Sequence, residues 1–212
     1  MFKKYSKKDK INSSNKNVVQ ILEELNILLP NNKKDMTRHV KTLLTKLGHK
    51  NKRKVYARIY PETEWKTFPK TKILYEIGGI IKEKFRNTEW LYDLHWYTDK
   101  NDIGIDKPEF YSMPKTFDLA CECEWSKNEA KTFSRNKKDI EYDFQKLLFS
   151  SAILNLFICR CHDDEQLSKL FNYFNNAVLY YENKPANYEF LIVCYMKNEL
   201  HYTVINKNTL LV

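Results

Sequence analysis

The sequence contains little glycine: only four of its 212 residues are glycine. The phosphate-binding patterns G-x-x-x-x-G-K-[ST] and G-x-G-x-x-G are missing, and so is the nucleophile pattern G-x-S-x-G, which argues against the enzyme classes that use them. No apolar run reaches about 18 residues, so we expect no transmembrane helix and no membrane partner. The charged start Met1–Lys8 is not followed by an apolar segment, so we expect no secretory signal.

Arginine is also scarce, since 30 of the 36 basic residues are lysine. The formal net charge of +9 is unevenly distributed: residues 1–60 carry a balance of +12 and residues 61–212 a balance of −3. Such asymmetry indicates contact with a polyanion, nucleic acid first. A lysine-rich, solvated surface is the alternative explanation for this excess.

Five cysteines, an odd number, favour free thiols in a reducing cytoplasm. The pairs Cys121/Cys123 and Cys159/Cys161 lie in segments with a strand pattern, where residues i and i+2 share a face. We therefore predict that these cysteines act as small core residues. Because His162 follows Cys161, a zinc-binding module is the alternative, although structural zinc sites usually space their cysteines by two to four residues on turns.

Hydrophobic periodicity divides the chain into a basic, mainly helical N-terminal region (1–68) and a core domain (69–212). We expect residues 1–17 to be frayed. Two helices, Val18–Leu29 and Lys34–Leu47, should precede a strand at Lys52–Tyr60, with Gly48 ending the second helix. The region should either contact nucleic acid, through Lys52, Arg53, Lys54 and Arg58, or pack as a cap on the core domain.

The core domain should be α/β (α+β), with a central mixed β-sheet flanked by helices. A helix is expected at Thr71–Phe85, followed by strands at Trp90–Tyr97 and Thr116–Trp125. The other predicted elements are a helix at Lys138–Ala152, a strand at Leu154–Cys161, a helix at Asp163–Tyr180 and a hairpin of Glu189–Met196 with Leu200–Ile205.

The strand Thr116–Trp125 is the segment most informative about chemistry. Glu122 and Glu124 should project from one face about 7 Å apart along the chain. Like charges that close are costly in a buried strand unless a cation lies between them. A hydrated divalent cation resolves this cost, because Mg²⁺ prefers one or two carboxylates together with water and phosphate oxygens. The expected strand faces are Phe117, Leu119, Cys121, Cys123 and Trp125 on one side, and Asp118, Ala120, Glu122 and Glu124 on the other.

The order of four elements resembles the PD-(D/E)XK nuclease superfamily, in particular its restriction-endonuclease-like members. The resemblance spans roughly Thr71–Cys161. It depends on a helix with Glu76, a strand with Tyr92-Asp93, the sequence Glu122-Cys123-Glu124-Trp125, and a helix with Asp143-Phe144-Gln145-Lys146.

This resemblance implies a role for each matching residue. Asp93 and Glu122 would bind metal together with Glu124, and Glu76 would complete the outer shell of the metal, with Glu83 as the fallback. The third motif position, normally lysine, is Glu124 here, so Lys146 on the following helix would supply the migrated lysine, assisted by Gln145. Exposure of Lys146, or an ion pair with Asp143, is the alternative. His95 could contact substrate or be structural.

The sequence thus predicts a Mg²⁺-dependent deoxyribonuclease, in which Mn²⁺ can replace Mg²⁺ and DNA is the partner. Phosphodiester hydrolysis needs an activated water, charge stabilisation and a stabilised leaving oxygen, which one or two such ions supply. Double-strand cutting would call for a homodimer. The alternative is a catalytically inactive DNA-binding protein on a decayed nuclease fold.

Overall fold

In the computed structural model, the described residues are 2–8, 10–28, 36–57, 92–99, 114–125, 133–182 and 187–206. They form an α/β fold with a seven-stranded mixed sheet, which confirms the predicted class. No helix among them is long and apolar enough to span a membrane. The elements are β1 (Lys3–Lys4), α1 (Lys16–Leu28), α2 (Met36–Lys50), β2 (Lys54–Ala57), β3 (Leu94–Asp99), β4 (Pro114–Glu124), α3 (Phe133–Leu148), β5 (Leu154–Arg160), α4 (Asp164–Tyr180), β6 (Glu189–Met196) and β7 (Glu199–Asn206).

The strands are arranged in the order β1-β7-β6-β5-β4-β3-β2. Strands β4, β5 and β6 run parallel, whereas the other neighbours are antiparallel. Parallel neighbours need long crossover connections, which α3 and α4 provide. The carboxyl ends of β4, β5 and β6 therefore meet at one edge of the sheet.

Each sheet face is covered by one pair of helices. Apolar residues of α1 and α2 pack with alternate residues of β2 to β7, and those of α3 and α4 pack with the residues between them. Strand β5 is covered on both faces, which explains why Leu156–Cys159 is a continuous apolar run and why Asn155 is also buried. The largest fully buried side chains on the α1–α2 side are Ile21, Leu22, Leu25, Leu44, Leu94, Trp96 and Leu119, and those on the α3–α4 side are Phe144, Leu147, Phe157 and Phe174.

The predicted faces of β4 are correct except at a bulge. Leu119, Cys121 and Cys123 lie on the α1–α2 side, as expected, but Phe117 packs with the α3–α4 cluster. The pairing with β3 is irregular there: Trp96 faces Leu119, whereas Tyr97 faces Phe117. The extra residue in β4 shifts the alternation and thereby reverses the side of Phe117.

The prediction that residues 1–17 are frayed is wrong for the residues described. Lys3–Lys4 form β1 against β7, and Phe2 and Tyr5 are buried. The carboxylate of the buried Glu189 accepts hydrogen bonds from the Ser13 hydroxyl (2.5 Å) and from the Ser14 backbone N–H and hydroxyl (both 2.9 Å). These contacts compensate the desolvation of Glu189 and order a segment whose composition is polar.

Most element boundaries differ from the prediction by a few residues. The strand predicted at Trp90–Tyr97 is β3, which begins at Leu94, so Asp93 lies in a bend just before it. Helix α3 ends at Leu148, four residues earlier than predicted. The helix predicted at Thr71–Phe85 and the boundary predicted at 68 lie outside the described residues.

Gly48 lies within the last turn of α2 and does not end the helix as predicted. A Cβ atom placed on Gly48 would lie 2.8 Å from the Trp96 indole nitrogen, and it would also overlap the Val55 side chain. The same indole N–H donates to the Leu44 carbonyl at 3.0 Å. The missing side chain therefore lets α2 approach β2 and β3 closely.

We expect Gly48→Ala to destabilise the protein by about 1–3 kcal/mol, because the added methyl group overpacks the contact with Trp96. Helix propensity alone would favour alanine by about 1 kcal/mol, so the two effects have opposite signs. Urea unfolding followed by tryptophan fluorescence would measure the change. An unchanged or higher midpoint would contradict the steric explanation.

Candidate active site

The candidate site lies at the carboxyl end of β4, on the side covered by α3. Glu122 is only 1% exposed and is placed between Ala120 and Glu124 on this face. Lys146, in the last turn of α3, reaches it: the Lys146 Nζ lies 2.7 Å from Glu122 Oε1 and 2.9 Å from Asp143 Oδ1. Lys146 therefore bridges the strand and its own helix, and the ion pair with Asp143 that was considered for it is present.

Burial determines the electrostatics of Glu122. Desolvation and, after it, the charge of Asp93 raise the pKa of Glu122 to about 9, although Lys146 acts in the opposite direction. Burial by itself would lower the pKa of Lys146, but Glu122 and Asp143 raise it above its usual value. Lys146 therefore stays charged. A further cation nearby would stabilise the ionised form of Glu122.

Glu124 lies on the same face, at the last position of β4. Burial, the nearby Asp143 and Asp139 and a hydrogen bond shared with Asp143 raise the pKa of Glu124 to about 7. The Lys146 ammonium group therefore pairs with Glu122 and Asp143, and Glu124 joins them through Asp143. Three carboxyl groups thus lie near one ammonium group among the described side chains of this site.

Asp93 reaches the same end of β4 from the neighbouring strand, because β3 is antiparallel to β4. One of its carboxylate oxygens, Oδ2, accepts the Cys123 backbone N–H at 3.0 Å. The other, Oδ1, lies 2.6 Å from the Nζ of Lys41, a residue of α2 that is only 2% exposed. Asp93 is thus held by the N-terminal helices as well as by the sheet.

The three predicted metal ligands lie at one end of the sheet but do not form a tight group. Among the residues described, Cys159, Cys161 and Cys194 are the only set of three potential ligands whose donor atoms all lie within 4.8 Å of one another. Lysine side chains pair with Asp93 and Glu122 instead. The chemistry of the donors, buried carboxylate oxygens with raised pKa values, fits a hard divalent cation such as Mg²⁺.

Two other predicted participants are placed away from this group. Gln145 donates to the Tyr173 hydroxyl of α4 at 3.1 Å. His95 packs edge-on against Phe117 on the α3–α4 side and is 4% exposed. Burial lowers the pKa of His95 to about 4, which favours the structural explanation. Glu76 and Glu83 lie outside the described residues.

The predicted DNA-binding residues surround the start of β2, at one edge of the described sheet. Lys52 and Lys54 are exposed, whereas Arg53 forms an ion pair with Asp118 at 3.0 Å. Lys54 is the β2 partner of Tyr97 in β3. Tyr97 follows Asp93 by four residues, so Lys54 lies about 13 Å along the strand from Asp93. Arg58 lies outside the described residues.

All five cysteines are buried and reduced, as predicted. Cys121 and Cys123 lie on the α1–α2 side, with their sulfurs 3.7 Å apart. Cys159 and Cys161 lie on the other side with Cys194, which the sequence reading did not include. Hydrogen bonds with Cys159 and Cys194 lower the pKa of the Cys161 thiol to about 5 despite its burial.

Lys41 is the functional candidate that sequence reasoning missed. A signal was present, because Lys41 precedes Leu44 by three residues and Gly48 by seven, which places it on the packed face of α2. A lysine on such a face needs a buried acid as its partner. The sequence offered no way to identify that partner as Asp93, 52 residues further along the chain.

Comparison of the chain with protein-family profiles, with characterised proteins and with solved structures gives no significant match. The resemblance to PD-(D/E)XK nucleases therefore stays a prediction from the motif.

The raised pKa of Glu122 predicts how stability depends on pH in metal-free buffer. Because the folded protein retains a proton on Glu122 between about pH 4.5 and about 9 and the unfolded chain does not, stability should fall as pH rises through this window. Glu122→Gln removes this titration. The free energy of unfolding of the wild type, relative to that of the variant, should therefore fall by up to about 1.4 kcal/mol for each pH unit. Urea unfolding with EDTA at pH 5, 7 and 8.5 would measure the slope, and parallel curves would contradict the prediction.

The Lys41–Asp93 pair should stabilise the contact between α2 and the sheet. Removing one partner leaves a largely buried charge, so we expect Lys41→Met or Asp93→Asn to cost about 3 kcal/mol. The double variant should cost less than the sum of the two single variants by about 1–3 kcal/mol. The exposed pair Glu165–Lys169 on α4 provides the control, with an expected coupling below about 0.5 kcal/mol. Additive effects of Lys41 and Asp93 in urea unfolding would contradict the pairing.

Proposed function

We propose that the protein is a Mg²⁺-dependent nuclease that hydrolyses phosphodiester bonds in DNA, built on a restriction-endonuclease-like core. One observation carries the proposal: Lys146 of the helix after β4 lies 2.7 Å from the buried Glu122, at the end of the sheet where Asp93 also lies. A lysine beside paired acids is the arrangement that the motif requires.

Each group has a role that its position supports. Asp93, Glu122 and Glu124 would hold Mg²⁺ or Mn²⁺, which supplies an activated water and offsets phosphate charge. Lys146 would orient the attacking water and stabilise the negative charge added to the phosphate. Its charged state is well supported, because Glu122 and Asp143 raise its pKa.

Exposed groups around the site suit a DNA strand. Tyr142 is 66% exposed, and its ring centre lies 5.8 Å from the Lys146 Nζ, so it could stack on a base next to the cleaved phosphate. Lys52 and Lys54 at the edge strand would contact the phosphate backbone further along. Cutting both strands would need a second copy of the chain.

The test is the cleavage of supercoiled plasmid with Mg²⁺ or Mn²⁺. Asp93→Ala, Glu122→Gln and Lys146→Met should each lower the rate by at least about 100-fold, because each removes a ligand or a charge that acts on the phosphate. EDTA should abolish cleavage.

The exposed ion pair of α4 offers matched controls. Glu165→Gln and Lys169→Met change the same residue types on the helix next to α3 and should retain the wild-type rate. Cleavage that survives in all three site variants would come from another source and would refute the proposal. Circular dichroism of each variant would verify that it is folded.

A non-catalytic DNA-binding protein on a decayed nuclease fold is the second candidate. The ion pair between Lys41 and Asp93 favours it, because Lys41 occupies an oxygen that a metal ligand would need. Against it, Lys146 contacts the acids and does not point away from them. DNA binding that is unchanged by Asp93→Ala, without cleavage under Mg²⁺ or Mn²⁺, would select this second function.

A further inference from the structure

A second group of ligating side chains lies at the carboxyl ends of β5 and β6, on the side covered by α3 and α4. Cys159 of β5 and Cys194 of β6 are directly paired across the two strands, and their sulfurs are 3.2 Å apart. Cys161 follows the end of β5 and points to the same side. All three sulfurs lie within 4.8 Å of one another.

We propose that Cys159, Cys161 and Cys194 bind one zinc ion, with the imidazole of His162 as the fourth ligand. This site uses thiols, whereas the proposed nuclease site uses carboxylates, and the two are neighbours, because Cys159 pairs with Glu124 across β4 and β5. Three sulfurs and one imidazole nitrogen are a donor set found in structural zinc sites. Soft thiolate ligands select zinc or Cu(I) over Mg²⁺.

The three sulfurs need only small adjustments, whereas the His162 ring would have to move closer, because its nitrogens do not lie within 4.8 Å of all three sulfurs. A tetrahedral zinc ion with zinc–sulfur bonds of about 2.3 Å requires sulfurs about 3.8 Å apart. The observed separations, from 3.2 Å up to a limit of 4.8 Å, differ from this value by about 1 Å or less. Rotation about the Cα–Cβ bonds would provide such shifts while the strands stay in place.

His162 supplies a second, independent observation. Its Nε2 is buried and has no hydrogen-bond partner among the residues described. Its backbone N–H donates to the Gln166 side chain at 3.1 Å, which fixes the turn beside Cys161. A buried imidazole nitrogen without a partner is costly, and coordination of a metal ion would remove that cost.

A cavity beside the cysteines would give a zinc ion access to the site, and basic side chains line it. This cavity, of about 230 Å³, is lined by Cys161 and His162 and by the cationic side chains of Arg160 and Lys197. Three thiolates around Zn²⁺ leave one net negative charge, which Arg160 would offset. Lys197 is already paired with Asp164 at 2.9 Å. Tyr195 and Asn198 complete the lining.

The experiment uses the full chain without a polyhistidine tag. Metal-free protein is titrated with Zn²⁺ in competition with a chromophoric chelator, and with Co²⁺, whose thiolate charge-transfer band reports sulfur ligands. We expect one Zn²⁺ per chain and a cobalt band. Cys161→Ala and Cys194→Ala should abolish stoichiometric binding, and His162→Ala should weaken binding by at least about tenfold.

Cys121→Ala is the matched control, because it removes a buried thiol from the other face of the sheet. It should bind zinc as the wild type does. Circular dichroism would show whether each cysteine variant is folded. If one is not, zinc binding by His162→Ala becomes the test, because His162 is only partly buried and its replacement should leave the fold intact. Absence of stoichiometric zinc binding in the wild type, binding of Cu(I) but not zinc, or equal loss in Cys121→Ala would overturn the proposal.

Discussion

A carboxylate removed from water must find a cation or a proton, and Glu122 is almost entirely removed from water. This requirement organises the end of the sheet. It draws Lys146 inward from α3, and Lys146 in turn holds Asp143. The same requirement operates on the opposite face, where Asp93 draws Lys41 from α2. The two helical layers are therefore joined to the sheet by ion pairs at the place where the parallel strand β4 ends.

Most of the described helices and strands could be predicted from the sequence, since their hydrophobic patterns agreed with the fold. Helical spacing identified α1, α2, α3 and α4, and apolar runs identified β5 and β6. The helical pattern placed Lys146 off the main apolar stripe and left its partner open, with the ion pair to Asp143 three residues earlier as one of the alternatives. These patterns reflect contacts between residues one or two helical turns apart, and such local contacts can be predicted from the sequence.

The remaining features depend on contacts between distant segments. No local pattern reveals that β4 gains a residue at Asp118, because the bulge exists only relative to β3. The partner of Lys41 is 52 residues away, and Cys194 joins Cys159 only through the register of β5 and β6. Sequence reasoning considered two cysteine pairs separated along the chain. The sheet instead brings Cys159 and Cys161 together with Cys194. Three possible ligands at one place favour metal binding more than either pair did.

The hydrogen bonds of Glu189 have a practical consequence for anyone who shortens the chain. A truncation that begins at α1 would remove Ser13 and Ser14, and the buried carboxylate would keep only the amide of Asn206, at 3.4 Å. It would also uncover the apolar surface that Phe2 and Tyr5 occupy. Soluble expression of such a fragment would thus test whether β1 and the Ser13–Ser14 segment, although basic and polar, are an integral part of the sheet.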